Sequence, residues 1–160
     1  LIDCPGNMVG PEAEKEALIR HCGRMYVAGA NLTVPVFVVV LRKAYGLGAL
    51  AMAGGSFDET FFAISWPTGE FAGMGLEGQI KLGRRNELAA IKDIPERKAR
   101  YDQLVANAYD WSRALNAGTV FEVDDVIDPA DTRKWIVMGL DSSPPVIPRA
   151  GKKHAWIDTW

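Results

Sequence analysis

The residues with the clearest chemical potential lie where a predicted strand passes into a predicted helix. An apolar run rich in β-branched residues ends at Arg42-Lys43, and the segment Tyr45-Gly46-Leu47-Gly48-Ala49 leads into small apolar residues of helical character. Such a junction predicts a buried strand, a tight turn and a helix start with unpartnered backbone N–H groups. Because Gly48 and Ala49 lack bulk, an oxygen can approach this backbone closely. The pattern favours stabilisation of an oxyanion by main-chain donors, with close packing of helix on strand as the alternative.

Four acidic residues are further candidates for chemistry. Asp124-Asp125 could act as a paired-acid site, or they could form the solvated end of a strand before a capped helix. Glu70 and Glu77 flank a glycine-rich loop, where they could contact a ligand or remain solvated. The sequence leaves the roles of all four residues open.

Other common catalytic patterns do not occur in the sequence. His21 falls in a predicted helix and His154 in the C-terminal segment, and neither accompanies a nucleophile in a recognisable elbow motif. Cys4 and Cys22 match no metal-ligand spacing, and the glycine segment is not GxGxxG. These observations argue against a nucleophilic triad, a bound metal and a nicotinamide site.

Composition places the chain among ordinary globular domains. Its 160 residues fit one domain, and its hydrophobic fraction of 48% and charged fraction of 24% are typical of that class. The net charge of −2 argues against nucleic acid or an anionic membrane as a partner. No apolar run is long enough for a membrane helix. The two cysteines are expected to be buried, reduced thiols, which suits a cytoplasmic protein.

Strand and helix patterns alternate along the chain, which predicts a layered α/β domain. The chain begins without methionine on an apparent strand end, Leu1-Ile2-Asp3, so we expect a fragment of a longer polypeptide. Further strands are expected in the apolar run before Arg42 and over residues 61–66 and 120–127. Helices are expected over residues 11–29, 46–54, 76–92, 95–115 and 129–140, a loop over residues 71–75, and an extended tail over residues 142–160. The helix from Pro95 should bury one face, formed by Leu104, Ala108, Trp111 and Leu115.

A resemblance to a known family rests on the motif Arg42-Lys43-Ala44-Tyr45-Gly46-Leu47-Gly48-Ala49-Leu50-Ala51-Met52. It resembles the C-terminal half of the carboxyltransferase (β) subunit of biotin-dependent acyl-CoA carboxylases, of the propionyl-CoA and acetyl-CoA carboxylase type. Further short motifs resemble motifs of the same family and occur in the same order over most of the chain. This ordered set is more specific than any single motif. These motifs are residues 5–10, Ile19-Arg20-His21, Thr33-Val34-Pro35, Trp66-Pro67-Thr68, Met74-Gly75, residues 123–129, Asp131-Thr132-Arg133 and Lys152-Lys153-His154.

The resemblance implies a crotonase-like fold of stacked ββα units. It also implies a subunit made of two such halves, of which residues 1–160 would be the C-terminal one. In this family, carboxybiotin on a carrier protein gives its carboxyl group to the α-carbon of an acyl-CoA. The implied partners are a biotin carboxyl carrier or biotin carboxylase component, an N-terminal half that receives CoA, and further copies in a dimer-based hexamer. The resemblance implies no metal, nucleic acid or membrane.

The same resemblance implies the site residues. Ungapped matching of the motif places an oxyanion hole for the biotin ureido oxygen on the backbone N–H groups of Leu47 and Gly48. The neighbouring residues expected to contact biotin or substrate are Tyr45, Gly46, Ala49 and Leu50. An apolar residue at position 50 favours an apolar acyl group. The implied mechanism requires no side-chain base, in keeping with the lack of a convincing triad.

Two other interpretations stay open. The carboxyltransferase chain of a biotin-dependent decarboxylase would carry out a related transfer in the reverse direction. On its own, the chain could instead be a dimerisation and biotin-docking module without turnover. In either case, we expect residues 1–160 alone to be inactive.

Overall fold

A nine-residue strand, β2 (Phe37–Tyr45), lies at the centre of the structure. This computed structural model describes residues 1–146 and 150–151. Within them, the other strands are β1 (Ile2–Cys4), β3 (Phe62–Ser65), β4 (Glu70–Ala72) and β5 (Asp125–Val126). The helices are α1 (Pro11–Lys15), α2 (Leu18–Ala30), α3 (Gly46–Met52), α4 (Leu76–Gly83), α5 (Arg85–Ala90), α6 (Ile94–Ser112), α7 (Ala114–Thr119) and α8 (Thr132–Ser142). A 3₁₀ turn, Pro129–Asp131, leads into α8.

The strands form a parallel sheet around β2. β1 pairs with β2 at Ile2 opposite Val40 and Cys4 opposite Ala44. On the other edge of β2, β3 pairs with residues 37–40 and β4 with residues 43–45. β5 pairs with the outer edge of β3. Parallel neighbours need crossover connections, which are largely helical here, and this confirms the predicted α/β class.

Both faces of β2 are buried, as the unbroken apolar run predicts. Val38 and Val40 pack on one face in a cluster that includes Ala49 of α3. Val39 points to the opposite face, where it lies in a second cluster that includes partly buried Trp135 of α8. Because successive side chains of a strand point to opposite faces, the core surrounds β2 and holds its C-terminal end in place.

β2 is longer than the sequence predicts. The expected strand ends at Arg42-Lys43, and this boundary is wrong, because β2 continues to Tyr45. Asp3 of β1 supplies the partner that makes the extension possible. Its carboxylate accepts hydrogen bonds from Nη2 of Arg42 at 3.0 Å and from the backbone N–H of Lys43 at 3.1 Å.

The first predicted helix, over residues 11–29, is two helices in the structure. α1 and α2 are separated around Ala17, which has a left-handed φ of 53°. α1 buries no residue, whereas α2 buries Cys22. Core packing therefore does not hold the two segments collinear, and the like charges of Glu12 and Glu16, one turn apart, disfavour a continuous helix.

The region after β3 also departs from the prediction. We expected a loop over residues 71–75, but its first two residues belong to β4. This strand pairs with β2 beyond the point where β3 ends. The helix predicted over residues 76–92 is divided at Arg84, which separates α4 from α5. Gly83 precedes the division, and glycine is a weak helix former.

The helix predicted over residues 95–115 exists as α6, but its predicted end is wrong. α6 stops at Ser112, because Arg113 adopts an extended conformation and forms an antiparallel bridge with Glu70 of β4. The next residues, Asn116-Ala117-Gly118, have the amide and glycine typical of a helix C-terminus, but they lie inside α7. Pairing with β4 therefore ends the helix earlier than its own sequence indicates.

The predicted buried face of α6 is mostly wrong. Leu104 is buried, whereas Trp111 and Leu115 are 77% and 67% exposed. The strand expected over residues 120–127 is reduced to β5, and Val120 stays exposed. Residues 120–124 form turns and bends instead, because the chain must turn from α7 to reach the edge of β3.

The last predicted helix is confirmed as α8. Asp128 caps the 3₁₀ turn before it, since its Oδ1 accepts a hydrogen bond from the N–H of Ala130 at 2.8 Å. The indole N–H of Trp66 donates to Oγ1 of Thr132 at 2.9 Å. This bond ties the chain just after β3 to the start of α8.

The extended tail was expected to start at residue 142, but this residue is the last one of α8. Residues 147–149 and 152–160 of this tail lie outside the described residues. None of the described helices is both long and apolar enough to cross a membrane.

Candidate functional site

α3 follows β2 without a separate turn, contrary to the prediction. It starts at Gly46, directly after the last residue of β2. Gly46 has a φ of 55°, in the left-handed region that glycine adopts readily. A Cβ at this position would lie 2.6 Å from the carbonyl oxygen of Gly73. Glycine is therefore required here, both for the conformation and for the close approach to the segment after β4.

The predicted donors, Leu47 and Gly48, lie in the first turn of α3, whose opening N–H groups have no partner within the helix. Among the described residues, the backbone hydrogen bonds that join loops, turns and caps use neither N–H. The hydroxyl of Tyr26 donates to the carbonyl oxygen of Leu47 at 2.8 Å, which ties this turn to α2. The Leu47 side chain is 56% exposed, so solvent reaches this side of the turn.

The other side of the same turn is closely packed. A Cβ on Gly48 would lie 2.9 Å from Sγ of Cys4 and 3.2 Å from Oδ1 of Asn7. The Asn7 amide donates to Sγ of Cys22 at 3.5 Å, so the loop after β1 contacts both α2 and α3. Both cysteines are free thiols, as predicted, but only Cys22 is fully buried.

Two of the predicted contact residues, Tyr45 and Ala49, are buried beneath the junction. Tyr45 is 2% exposed, and its hydroxyl donates to Oε2 of Glu70 at 2.6 Å. Burial and the Glu70 carboxylate raise the pKa of Tyr45, so the phenol stays a neutral donor. Ala49 packs in the core cluster with Val40. Their side chains thus hold the junction between β2 and α3 in position.

The other two predicted contact residues, Gly46 and Leu50, line a cavity of about 400 Å³. Most of its remaining walls come from positions that are distant in the sequence, including Phe57, Phe71, Trp111, Asn116, Val120 and Glu122. Sequence reasoning missed these walls. The apolar character of four of them was the available signal, and it does not distinguish a cavity wall from an ordinary core.

The acidic candidates have partners within the fold. Oε1 of Glu77 accepts a hydrogen bond from the Tyr109 hydroxyl at 2.8 Å, and this bond lowers the pKa of Glu77. Oδ2 of Asp124 accepts from the N–H of Ala63 at 2.7 Å, and Oδ1 of Asp125 from the next backbone N–H at 2.7 Å. The bonds of Asp124 and Asp125 match the interpretation as a strand end rather than a paired-acid site.

The charged side chains at the end of β2 are also paired. Nζ of Lys43 lies 5.7 Å from the centroid of the Tyr45 ring, within range of a cation–π attraction. The Arg42 guanidinium is paired with Asp3. Within residues 1–146 and 150–151, no group of three or more His, Cys, Asp or Glu side chains could hold a metal ion. The main-chain N–H groups of α3 therefore remain the best candidates for binding a ligand oxygen.

Comparison with known proteins identifies the family of this chain. Residues 1–144 match the carboxyl transferase domain family. The 12S subunit of methylmalonyl-CoA carboxyltransferase from Propionibacterium freudenreichii subsp. shermanii is 38% identical over 141 residues, which are 88% of this chain and 26% of that subunit. The chain thus spans about a quarter of the length of that relative.

Two solved structures extend the comparison to the fold. A single-chain, multi-domain long-chain acyl-CoA carboxylase matches with a TM-score of 0.73 and 54% identity, over 85% of this chain and 13% of that one. The transcarboxylase 12S hexamer with methylmalonyl-CoA bound matches with a TM-score of 0.77 and 35% identity, over 96% of this chain and 29% of that one. The predicted crotonase-like α/β fold is confirmed. Both the match over residues 1–144 and the shared fold show that the chain belongs to the carboxyl transferase domain family.

Proposed function

We propose that this chain is the biotin-side half of an acyl-CoA carboxyltransferase. The reaction would move a carboxyl group from carboxybiotin, held on a carrier protein, to the α-carbon of an acyl-CoA. The observation that supports this function most directly is the pair of N–H groups of Leu47 and Gly48 in the first turn of α3. They lie in a chain whose family transfers carboxyl groups.

The first turn of α3 fits the ureido oxygen of biotin. Adjacent N–H groups at a helix start can donate to one oxygen, and the partial positive charge there favours an anion. Leu47 is exposed, so a ligand can reach the turn from that side, while the packing around Gly48 keeps the backbone fixed. Carboxybiotin would supply the carboxyl group, and the protein would supply the donors.

The contribution of this chain is electrostatic and geometric. Donors that are fixed before the reaction need no reorganisation when negative charge develops on the bound oxygen. The contact of Gly46 with Gly73 and the hydrogen bond from Tyr45 to Glu70 both hold the end of β2 and the start of α3 together. No side chain of this half has to act as a general base for that task.

We propose that further components complete the enzyme. An N-terminal half would hold the CoA thioester, and a biotin carboxyl carrier or biotin carboxylase component would deliver carboxybiotin. The full-length carboxyltransferase that contains this chain together with the N-terminal half is called the complete enzyme below. This chain matches only about a quarter of the length of the 12S subunit, which supports the proposal that further sequence completes the enzyme.

Self-association is part of the same proposal. The related 12S transcarboxylase is a hexamer, and this chain exposes Leu47, Met52 and Met74 around α3 and the segment after β4. Exposed apolar side chains grouped on one surface favour association. Light scattering at high protein concentration should therefore detect dimers or larger species. A monomer under these conditions would contradict the proposal.

Carboxyl transfer by the complete enzyme tests the proposed function. A carrier protein loaded with radiolabelled carboxybiotin is mixed with an acyl-CoA, and label in the acyl-CoA product is counted. We expect label to move when both halves are present and to stay on the carrier with residues 1–160 alone. Transfer by these residues alone would show that the division between halves is wrong, and failure of the complete enzyme would overturn the function.

Other observations distinguish the alternatives. An enzyme accelerates carboxyl transfer in both directions, so the decarboxylase alternative is tested by the neighbouring genes: a membrane decarboxylase would support it, and a biotin carboxylase would contradict it. Binding of biotin by a complete enzyme that transfers nothing in either direction would indicate a docking module without turnover.

A further inference from the structure

We propose that Tyr26 of α2 takes part in the reaction as a positioning residue: its hydroxyl polarises the peptide group between Leu47 and Gly48 and thereby strengthens the Gly48 N–H as an oxyanion donor. This inference rests on the proposed function, which assigns that N–H to the ureido oxygen of biotin. It extends the site to a neighbouring helix that lies outside the motif of residues 42–52.

The polarising contact is a hydrogen bond to the far end of the donor peptide. The Tyr26 hydroxyl donates to the carbonyl oxygen of Leu47 at 2.8 Å, a usual length for such a bond. This carbonyl and the N–H of Gly48 belong to one peptide group, and in a trans peptide they point in opposite directions. The bond from Tyr26 therefore leaves the Gly48 N–H open to a ligand oxygen.

A hydrogen bond accepted by the carbonyl makes the N–H of the same peptide more positive. Resonance couples the two groups, so electron density drawn toward the Leu47 oxygen comes partly from the Gly48 nitrogen. Linked hydrogen bonds strengthen one another by about 10–30% each. Because the ureido oxygen gains negative charge during carboxyl transfer, a stronger donor stabilises the transition state more than the ground state.

Two contacts fix α2 against α3 and the residues that follow it. The Tyr26 ring is half-buried, and a Cβ at Gly55 would lie 3.9 Å from its Cδ1. Gly29, three residues later on the same face of α2, approaches Gly54 so closely that a Cβ on Gly29 would overlap the Gly54 carbonyl. A hydroxyl that is held in this way needs no reorganisation when charge develops on the ligand.

The hydroxyl is in the chemical state that this role requires. Burial raises the pKa of Tyr26, so the phenol keeps its proton at neutral pH and acts as a donor. The proton is directed at the Leu47 carbonyl, so Tyr26 acts through the peptide group rather than on the ligand. Its removal should therefore weaken one donor without abolishing it.

Removal of the hydroxyl tests this role in the complete enzyme. Loss of a whole oxyanion donor costs about 10²–10³-fold in rate. A change of about 10–30% in the strength of that donor corresponds, on a logarithmic scale, to about two- to eightfold. Tyr26→Phe should therefore slow single-turnover carboxyl transfer by about two- to eightfold, with little change in the KM for acyl-CoA.

Tyr101→Phe is the matched control. It also removes a hydroxyl that donates to a helix carbonyl, that of Glu77 in α4 at 3.4 Å, but α4 carries no proposed donor. We expect its transfer rate to equal that of the unmodified enzyme. An unchanged rate in Tyr26→Phe, or an equal fall in both variants, would overturn the inference.

A graded donor distinguishes polarisation from a purely structural role. A tyrosine fluorinated beside its hydroxyl has nearly the same shape, and its more acidic phenol is a stronger donor while it stays protonated. With this residue at position 26, carboxyl transfer at neutral pH should be faster than in the unmodified enzyme, whereas a hydroxyl that only fixes the fold would give no increase. A rate at or below that of the unmodified enzyme would therefore overturn the inference.

NMR examines the peptide without carboxyl transfer and so separates this inference from the proposed function. With ¹³C in leucine carbonyls and ¹⁵N in glycine, only Leu–Gly peptides give a joint signal, and in this chain these are Leu47-Gly48 and Leu82-Gly83. Tyr26→Phe should shift the Gly48 signal, identified by its absence in Leu47→Ala, and leave that of Gly83 in place.

The two possible failures have different signatures. A Gly48 signal that does not move in Tyr26→Phe would overturn the inference in an active or an inactive enzyme. An unmodified complete enzyme that transfers nothing would overturn the proposed function, while a shifted Gly48 signal would still support the action of Tyr26 on this peptide.

Discussion

The hydroxyl of Tyr45 lies 2.6 Å from Oε2 of Glu70 and donates a hydrogen bond to it. Tyr45 is the last residue of β2 and Glu70 is the first residue of β4, so the bond joins two strands beside the start of α3. Backbone pairing already holds β2 against β4. The side-chain bond adds a second connection at the point where the chain turns into the helix that carries the proposed donors.

Loss of this bond should destabilise the fold. Tyr45→Phe removes one oxygen from a buried ring and leaves the Glu70 carboxylate without that donor. Hydrogen bonds to charged groups contribute about 1.5–3 kcal/mol, so the free energy of unfolding should fall by an amount in that range. Urea denaturation measures it, and Tyr109→Phe is the control because its bond to Glu77 is more exposed. Equal losses in the two variants would contradict the prediction.

The same tyrosine should make stability fall at alkaline pH. Burial and the Glu70 carboxylate raise the pKa of Tyr45 above its unfolded value of about 10. Its stabilising contribution is therefore complete below pH 10 and is lost as the pH rises further. Tyr26 and Tyr109 also have raised pKa values, so Tyr45→Phe should reduce the alkaline loss without abolishing it. Urea midpoints between pH 9 and pH 11 measure the effect, and identical slopes in both proteins would refute it.

The centre of the fold could be predicted from local sequence. Four valines in five positions indicate a strand covered on both faces, and β2 is that strand. The same reasoning placed the end of the strand too early, at Arg42-Lys43. The carboxylate that accepts hydrogen bonds from these two residues belongs to Asp3, far away in the sequence. The reasoning failed again at Trp111, which has the helical spacing of a core residue but lines the cavity and is mostly exposed. Both errors come from tertiary neighbours that a local pattern does not contain.

The candidate site could be predicted only in part. The glycine-spaced segment indicates a helix start with open backbone N–H groups, because glycines and small residues at a strand end are a local signal. The choice of Leu47 and Gly48 as donors comes from the family resemblance. Neither signal could show that Tyr45 and Ala49 are buried while Gly46 and Leu50 face a cavity. Along one helical turn, side chains point in different directions, and the packing of α3 on β2 decides which of them face open space.

Asp124 should act as a structural partner of β3 rather than as a catalytic acid. Its backbone N–H donates to the carbonyl oxygen of Ala63 at 2.8 Å, and its Oδ2 accepts from the N–H of Ala63 at 2.7 Å. Asp124→Ala leaves that buried N–H without its acceptor, which should cost about 1–3 kcal/mol in unfolding free energy. Asp124→Asn keeps an oxygen acceptor and should cost less. Equal urea midpoints for Asp124→Ala and the unmodified protein would contradict this role.

The pair between Asp3 and Arg42 should contribute to stability at neutral pH and be lost in acid. Hydrogen bonds from Arg42 and from the backbone N–H of Lys43 lower the pKa of Asp3. Because the folded pKa is below the unfolded value of about 4, the contribution is present above pH 4 and is lost as the pH falls further. Asp3→Asn should therefore flatten the loss of stability below pH 4, measured by urea midpoints. Asp102→Asn, on the exposed side of α6, is the control, and the same slope in both variants would refute the prediction.

Leu47 offers the cleanest test of the proposed donors. Its side chain is exposed, so Leu47→Ala changes little packing and retains the N–H. Leu47→Pro removes the N–H at the second residue of α3, where a proline is tolerated because the N–H groups of the first turn make no bonds within the helix. Gly48 is a poorer target, since any Cβ there would lie 2.9 Å from Sγ of Cys4.

In the complete enzyme, Leu47→Pro should reduce the rate of carboxyl transfer about 10²–10³-fold, as expected for loss of one oxyanion donor. The loss should fall on kcat, because the donor acts when charge develops on the ureido oxygen. Leu47→Ala should retain nearly full activity, and circular dichroism verifies that both variants fold. An amide-to-ester replacement at Leu47 removes the N–H while keeping the side chain, so it tests the donor even if the proline disturbs α3. Unchanged kcat in a folded protein that lacks this N–H would show that the N–H of Leu47 does not stabilise the transition state.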